Sequence, residues 1–162
     1  MGVFIYCYTA TGKSTLGRKF ANVVDMESTR YKYGEQIENE QKKGTKRVVN
    51  PDYPNNYFKA LEAVKDLYDY ILISDSICNE WLSQNNTEYW QVYPEIDLKE
   101  EYLLRMKNRG NNQAFIDYQS YMWDEWIEGC QNDPNAARHI VLKTGQYLED
   151  VLPNLTLKEI EC

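Results

Sequence analysis

Residues 3–15 read VFIYCYTATGKST, and the interpretation of the whole fold begins from this stretch. The apolar run at 3–6 predicts a short buried strand, and a predicted helix follows at 13–20. The N–H groups at the start of a helix lack partners and carry partial positive charge, so they attract an anion. Lys13 is a cation at that positive end, which is an unfavourable position unless a polyphosphate is bound there.

The same stretch therefore predicts a phosphate-binding loop. The residues expected to hold the phosphates are Thr11, Gly12, Lys13, Ser14 and Thr15. The hydroxyl of Ser14 is also a candidate ligand for Mg²⁺, because this ion prefers oxygen donors and phosphate partners. The alternative is a helix that happens to begin with Gly-Lys-Ser. The strand that precedes it favours the phosphate-binding interpretation.

Short apolar runs alternate with helical segments along the rest of the chain. The four further predicted strands are 23–24, 70–74, 89–93 and 139–143. The other predicted helices are 57–68, 76–84, 98–107, 113–130 and a closing helix at 145–152, and helix 57–68 would place Leu61, Val64 and Leu67 on one face. This alternation predicts an α/β fold with a parallel sheet covered on both sides, formed by residues 1–162 as one domain.

Composition limits the function classes that fit the chain. Its 162 residues are 43% hydrophobic and 14% aromatic, as expected of a folded domain, and they carry a net charge of −7. Because duplex binding needs a basic face, we expect no nucleic-acid partner. No apolar run reaches the roughly 20 residues of a membrane helix, and the first residues do not resemble a signal peptide, so we expect no membrane partner and a cytoplasmic protein. A homodimer is left open.

The cysteines and the large aromatic residues favour packing roles. The cysteines are scattered along the chain, at Cys7, Cys78, Cys130 and Cys162, and are expected to be free and mostly buried thiols. The aromatic side chains could stack on a nucleobase, but packing in or near the core is the preferred interpretation. They are Tyr53, Tyr57, Trp81, Trp90, Trp123 and Trp126.

Acidic residues follow two of the predicted strands. Asp25 and Glu27 come after the second strand, and Asp75 comes after the third. Ligands of open α/β sheets bind beyond the carboxyl ends of the strands, so these acids should face the same crevice as Lys13. Asp75 is a candidate ligand for Mg²⁺, although it could instead cap the helix that follows. Asp25 is a candidate base or orienting group, and Glu27 is a weaker candidate for substrate binding.

Arg105 and Arg109 lie four residues apart, and therefore on one face of the predicted helix. Arginine stabilises the charge that develops on the oxygens of a phosphoryl group during its transfer. Both are candidate catalytic residues, although cations also suit the carboxyl end of any helix.

Residues 7–14 resemble the P-loop pattern Gly-x-x-x-x-Gly-Lys-Ser/Thr, with Cys7 in place of the first glycine. With VDMEST at 24–29, Tyr93-Pro94 and the Arg105–Arg109 pair, the chain is similar to nucleoside and nucleotide kinases of the P-loop class. It also resembles short proteins of bacteriophage and prophage genomes of Gram-positive bacteria. The resemblance implies a five-stranded parallel sheet of order 2-3-1-4-5, an ATP donor and Mg²⁺.

The same resemblance assigns roles to further segments. It implies an acceptor-binding segment at 28–56 in which Arg30 grips an acceptor phosphate, a lid-like segment at 98–113, and a place for the donor adenine near Gln146. The acceptor segment also carries a basic cluster, best interpreted as a solvated loop, at Lys42, Lys43, Lys46 and Arg47.

Three functions stay open at this point. The preferred one is an ATP-dependent kinase whose small-molecule acceptor is a (deoxy)nucleoside monophosphate or a similar compound. The second is a kinase of a hydroxyl-bearing metabolite or nucleoside, in which Asp25 accepts the hydroxyl proton. The third is a non-catalytic protein that binds a nucleotide or a host protein.

Overall fold

The structure is a computed structural model, and it describes residues 1–33 and 48–159. A sheet of five parallel strands lies at its centre, in the order β2-β3-β1-β4-β5. The strands are β1 Val3–Cys7, β2 Val23–Asp25, β3 Tyr70–Ile73, β4 Tyr89–Pro94 and β5 Arg138–Leu142. This order confirms the one implied by the resemblance, and every strand end lies within one residue of its prediction.

Helices connect the strands and cover the sheet. They are α1 Lys13–Lys19, α2 Thr29–Tyr33, α3 Asn55–Val64, α4 Ile77–Gln84, α5 Lys99–Asn108, α6 Gln113–Gln131 and α7 Leu148–Val151, with a short 3₁₀ turn at Ile96–Leu98 before α5. In the parts of the chain at 1–33 and 48–159, no helix is both long and apolar enough to cross a membrane.

Side chains that alternate along the strands form a core on each side of the sheet. Ile5 and Leu72 belong to the cluster beneath α1 and α7, which also contains Leu16 and Leu148. Phe4, Ile71 and Ile73 belong to the opposite cluster beneath α3 and α4, together with Tyr57, Leu61 and Leu82. All four residues of β3 are buried, as expected for a central strand of a parallel sheet.

A third cluster lies at the carboxyl ends of β1 and β4. It joins Tyr8 and Tyr93 to residues of α5 and α6, including Tyr102, Met106 and Trp123. Since Tyr8 directly follows β1, this cluster fixes the start of the phosphate loop against the two long helices.

The prediction that Leu67 shares a helical face with Leu61 and Val64 is wrong. Helix α3 ends at Val64, and the N–H of Leu67 donates to the carbonyl of Val64 in a tighter turn. The side chain of Leu67 is therefore directed away from the core and is 72% exposed.

The packing roles predicted for the cysteines and tryptophans are confirmed where the structure describes them. Cys7, Cys78 and Cys130 are buried free thiols, while Cys162 lies outside the described residues. Trp123 is fully buried, and the other three tryptophans are partly buried. The acceptor segment is described at 28–33 and 48–56 only, and its basic cluster at 42–47 lies outside the described residues.

Candidate functional site

The phosphate loop connects β1 to α1 through two residues in the left-handed region, Ala10 with a φ of 64° and Gly12 with a φ of 92°. The hydroxyl of Thr11 donates to the carbonyl of Tyr8 at 2.8 Å, which closes the loop on itself. The N–H of Leu148 donates to the carbonyl of Thr11 at 3.0 Å, which fixes the loop to α7. The loop is therefore held from both sides.

The backbone N–H groups of residues 9–15 are available to a ligand. Within the described chain, none of them donates a hydrogen bond to a backbone or side-chain acceptor. All of these residues line one cavity of about 810 Å³, which we call the donor cavity. Consecutive N–H groups that converge on a concave surface form an anion-binding site.

Cys7 stands where the P-loop pattern has its first glycine, yet it is an ordinary strand residue. It is the last residue of β1 and pairs in register with Val92 of β4. It is not among the residues with positive φ, and burial raises the pKa of its thiol to about 12. Because no left-handed backbone is required at this position, the substitution leaves the loop's shape intact.

Lys13 lies in the donor cavity and bridges two carboxylates. Its Nζ is 3.0 Å from Oδ1 of Asp25 and 3.1 Å from Oε2 of Glu27. Burial by itself would lower the pKa of Lys13, but the charges of Asp25 and Glu27 outweigh it and raise the pKa. Burial would likewise raise the pKa of Glu27, and the charge of Lys13 lowers it instead. The ammonium group is therefore firmly charged.

The first turns of α1 supply further polar groups to the donor cavity. Ser14 and Thr15 are exposed and line it, as predicted for phosphate and metal ligands. Arg18 lines it too and was missed in the sequence. The signal that could have identified it is its position four residues after Ser14, which places both on one face of the helix.

Arg105 also lines the donor cavity, and it connects three parts of the chain. Its guanidinium donates to the carbonyls of Ala10 at 3.1 Å and Gln146 at 3.0 Å, and to Oε2 of Glu101 at 3.2 Å. It lies over the rings of Tyr102 and Tyr147, 4.4 and 3.9 Å from their centroids. Arg105 thus joins α5 to the phosphate loop and to the turn after β5.

Arg109 is less constrained. It follows the last residue of α5, its Nε donates to Oδ1 of Asn111, and its guanidinium lies 6.0 Å from the ring centroid of Phe115. Burial lowers its pKa, and the nearby charge of Glu27 acts in the opposite direction. The structure thus brings both predicted arginines to the same cavity as Lys13.

Gln146, the predicted adenine contact, uses its side chain to close its own turn. Its Oε1 accepts from the N–H of Lys143 at 2.9 Å, and the residue does not line the donor cavity. The neighbouring Tyr147 lines it instead, with its ring against Gly12, where an added Cβ would lie 3.1 Å from Cδ1 of Tyr147. Of the two neighbours in this turn, Tyr147 and not Gln146 lines the cavity, and a contact of this turn with adenine stays a prediction.

Asp75 lies in a second cavity, of about 890 Å³, which we call the acceptor cavity. Its Oδ2 accepts from the hydroxyl of Tyr53 at 2.5 Å, and its Oδ1 accepts from the N–H of Ile77 at 3.2 Å. The second bond holds the start of α4, which is the helix-capping role that the sequence offered as the alternative for Asp75. Asp75 does not line the donor cavity with Ser14.

The two cavities meet at the carboxyl ends of β1 and β3, because Tyr8, Thr9 and Ser74 line both of them. Arg30 of α2 is exposed and lines neither. The structure therefore brings together Lys13, Asp25, Glu27, Arg105 and Arg109 around the loop, whereas Arg30, Asp75 and Gln146 do not line the donor cavity.

Comparisons with known proteins found few similarities. No protein-family model matches the chain, and no curated protein matches it significantly. A tunicamycin resistance protein from Deinococcus radiodurans has a TM-score of 0.49 and 12% identity, over 87% of this chain and 86% of that chain. A gluconokinase from Sinorhizobium meliloti 1021 has a TM-score of 0.49 and 11% identity, over 93% of this chain and 86% of that one.

At these scores neither likeness carries an argument about the activity of this chain. The fold assignment rests on the chain's own topology. A parallel sheet of order 2-3-1-4-5, with a phosphate loop between β1 and α1, is the α/β fold of P-loop kinases.

Proposed function

We propose that this chain transfers the terminal phosphoryl group of ATP to a small acceptor molecule. One observation carries the proposal. A cavity lined by free loop N–H groups and cations meets a second cavity at Tyr8, Thr9 and Ser74. A phosphoryl donor in the first cavity and an acceptor in the second would thus have their reacting ends at the carboxyl edge of the sheet, where α/β proteins bind ligands.

The donor cavity has the charge that a triphosphate needs. Besides the N–H groups of residues 9–15, four cations line it: Lys13, Arg18, Arg105 and Arg109. Phosphoryl transfer requires little covalent chemistry from the protein. Positioning the phosphates and stabilising charge on the equatorial oxygens supply most of the catalysis.

The donor cavity also fits Mg²⁺. The hydroxyl of Ser14 and the carboxylates of Asp25 and Glu27 line it, and all three are hard oxygen donors. The described residues contain no group of three or more Asp, Glu, His or Cys side chains that could hold a metal on their own. This suits an ion bound largely by phosphate oxygens and water. Bound Mg²⁺ would neutralise charge on the β- and γ-phosphates.

The remaining catalytic roles follow from the contacts of each side chain. In the transfer, the acceptor oxygen bonds to the γ-phosphorus, the bond from that phosphorus to the bridging oxygen breaks, ADP leaves, and a hydroxyl acceptor releases its proton to water. Lys13 and Arg109 would stabilise the charge on the transferred group. Asp25 holds the ammonium of Lys13 at 3.0 Å, so we assign it to positioning Lys13, with the metal role of Asp75 kept as a prediction.

The acceptor predicted from the sequence, a nucleoside monophosphate, stays a prediction. Its phosphate would need cations beside the acceptor cavity, and the predicted one, Arg30, lines neither cavity. The acceptor therefore has to be identified by experiment.

The experiment measures ATP binding by calorimetry and ATP consumption in a coupled assay, with a panel of nucleotides, nucleosides and sugars. Lys13→Met should lower kcat/KM by about 100-fold or more, the effect of removing one group that stabilises transition-state charge. Lys19→Met is the matched control. Lys19 is on the same helix but is exposed, lies outside both cavities and pairs with Glu149.

The control should retain wild-type turnover. Failure of the wild-type chain to bind ATP, or full turnover by Lys13→Met, would overturn the proposal. Tight ATP binding with no turnover on any acceptor would instead support a non-catalytic nucleotide-binding protein.

A further inference from the structure

The acceptor cavity is lined by side chains whose hydrogen bonds are incomplete. Four of them carry a buried polar atom that has no partner among the described residues: Tyr8 Oη, Asn79 Oδ1, Gln91 Oε1 and Gln119 Oε1. Tyr8 and Gln91 are each 3% exposed, and Gln119 is 6% exposed. Folded proteins satisfy nearly all such atoms, so these four side chains are candidates to bond a ligand that enters the cavity.

Gln91 shows how the wall is held in place. Its Nε2 donates to Oδ2 of Asp133 at 2.9 Å, and the same oxygen accepts from the hydroxyl of Tyr89 at 2.6 Å. The N–H of Asn135 donates to Oδ1 of Asp133 at 2.9 Å. The carboxylate therefore fixes the amide of Gln91 in one orientation, with its buried carbonyl oxygen left without a hydrogen-bond partner.

Gln119 of α6 contributes a second amide to the lining of the acceptor cavity. It lies on the buried side of α6, and no hydrogen bond to its side chain is present in the described part of the chain. A glutamine amide offers two N–H donors and a carbonyl acceptor. Buried glutamines without partners are uncommon, because each unpaired buried group destabilises a protein.

The charge of the acceptor cavity further limits the class of ligand that can bind there. Among the described residues that line it there is no lysine, arginine or histidine, and there are four acids: Asp75, Glu80, Glu125 and Asp133. The donor cavity has the opposite character, with four cations and two acids. A phosphate monoester would be repelled by the acids of the acceptor cavity, whereas hydroxyl and amide groups match its glutamines and Tyr8.

We propose that the acceptor cavity binds an acceptor that presents hydroxyl groups and carries no phosphate, held by Gln91, Gln119, Asn79 and Tyr8. This inference rests on the proposed function, because it names the substrate class of the same site. Nucleosides, sugars and amino sugars all present hydroxyl groups and carry no phosphate, and each class is tested separately.

The first experiment compares matched pairs that differ by one phosphate: adenosine and AMP, thymidine and TMP, glucose and glucose 6-phosphate, glucosamine and glucosamine 6-phosphate. Binding is measured by calorimetry in the presence of a non-hydrolysable ATP analogue, and turnover with ATP. In at least one pair, the phosphate-free compound should bind and be phosphorylated at least about 10-fold better. If, in the pair that is turned over, the phosphate-bearing compound binds and reacts better than its phosphate-free partner, this inference is overturned. The phosphotransferase proposal would still stand.

The second experiment uses Gln119→Leu, with Gln131→Leu as its control, because Gln131 is an exposed residue at the end of the same helix. Gln119→Leu should raise the acceptor KM at least about 10-fold and leave ATP affinity unchanged. Because it removes an unpaired polar group from a buried position, it should also raise the melting temperature of the ligand-free protein by about 2–4 °C.

The control variant Gln131→Leu should change neither the acceptor KM nor the melting temperature. An unchanged KM in Gln119→Leu, or a lower melting temperature, would show that this amide serves the fold and would overturn its role in acceptor binding. If the wild-type protein does not bind ATP, the phosphotransferase proposal itself is overturned. This outcome can be distinguished from the result that a phosphate-bearing compound is preferred to its phosphate-free partner.

Discussion

Gly17 of α1 lies so close to Asp25 of β2 that a Cβ atom at position 17 would be 3.0 Å from the Asp25 Cβ and 3.2 Å from its backbone nitrogen. Both of these atoms belong to a strand of the central sheet, so they have little freedom to move away. The absence of a side chain at Gly17 therefore lets α1 pack directly against β2. This contact places the Asp25 carboxylate beside Lys13, four residues earlier on the same helix.

Gly17→Ala should destabilise the protein by about 1–3 kcal/mol, the usual effect of adding a methylene-sized group to a filled position. The free energy of unfolding in urea measures it. Gly129→Ala is the control, because nothing lies within 4 Å of a Cβ at that position of α6. The control should raise stability by about 0.5–1 kcal/mol, the ordinary gain of alanine over glycine in a helix. Equal stability of Gly17→Ala and wild type would contradict the close packing.

The ion pair between Lys13 and Glu27 should make stability depend on pH. The pKa of Glu27 is lowered, so its contribution is present above about pH 4.3 and is lost as the pH falls through the folded-state pKa. The pKa of Lys13 is raised, so its contribution is present below about pH 10.4 and is lost as the pH rises through the folded-state pKa.

Glu27→Gln should therefore be less stable than wild type near neutral pH, and the difference should shrink as the pH falls below about 4.3 and Glu27 becomes protonated. We expect a difference of only about 0.2–1 kcal/mol, because the Glu27 side chain is 49% exposed and solvent screens the pair. Urea unfolding across this pH range measures it, with the exposed Glu88→Gln as a control that should show no such trend. A stability difference that stays the same from neutral to acidic pH would contradict the electrostatic explanation.

The same substitution should strengthen triphosphate binding. In the described structure Lys13 is engaged by Asp25 and Glu27, so a phosphate has to displace at least one carboxylate from the ammonium. Removing the charge of Glu27 also removes a repulsion of the phosphates. We expect the Kd of ATP to fall by about 2- to 10-fold for Glu27→Gln, on the scale of one partly screened charge. A weaker affinity, measured by calorimetry with Mg²⁺ present, would indicate that Glu27 holds the metal instead.

Arg105 and Arg109 should respond differently to replacement by lysine. Arg105→Lys loses the planar group that reaches the carbonyls of Ala10 and Gln146 together, so we expect a loss of about 1–3 kcal/mol in the free energy of unfolding. Arg109→Lys should leave stability nearly unchanged, since the side chain of Arg109 contacts Asn111 and Phe115, which are close to it in the chain. Equal stability of the two variants would show that Arg105 does not join these segments. Turnover should fall in both.

The sequence was sufficient for the sheet, because each strand is a short apolar run bounded by polar or small residues. Strand β3, YILI at 70–73, is buried throughout and was the clearest signal. Helix ends were less accurate. The apolar spacing of Leu61, Val64 and Leu67 continues past the end of α3, since periodicity alone does not reveal where the backbone tightens into a turn.

The place of the loop between β1 and α1 was predicted from the sequence, because an apolar strand and a helix start are encoded in adjacent positions, while phosphate binding by its residues stays a prediction. The residues that depend on tertiary packing were harder. Asp25 ends β2 and Asp75 closely follows β3, but Asp75 lines the acceptor cavity, where Tyr53 and the start of α4 hold its carboxylate. The pairing of Gln91 with Asp133 joins residues far apart in the chain and leaves no local pattern.

The position of Arg105 has a consequence for how a nucleotide is captured. Its side chain is only 10% exposed and joins α5 to the phosphate loop and to the turn that carries Tyr147, so this wall of the donor cavity is assembled before any nucleotide arrives. The conformational entropy of ordering that wall is lost during folding and not during association. Binding a nucleotide against this wall should therefore cost the protein less conformational entropy than binding at a site that a closing lid has first to order.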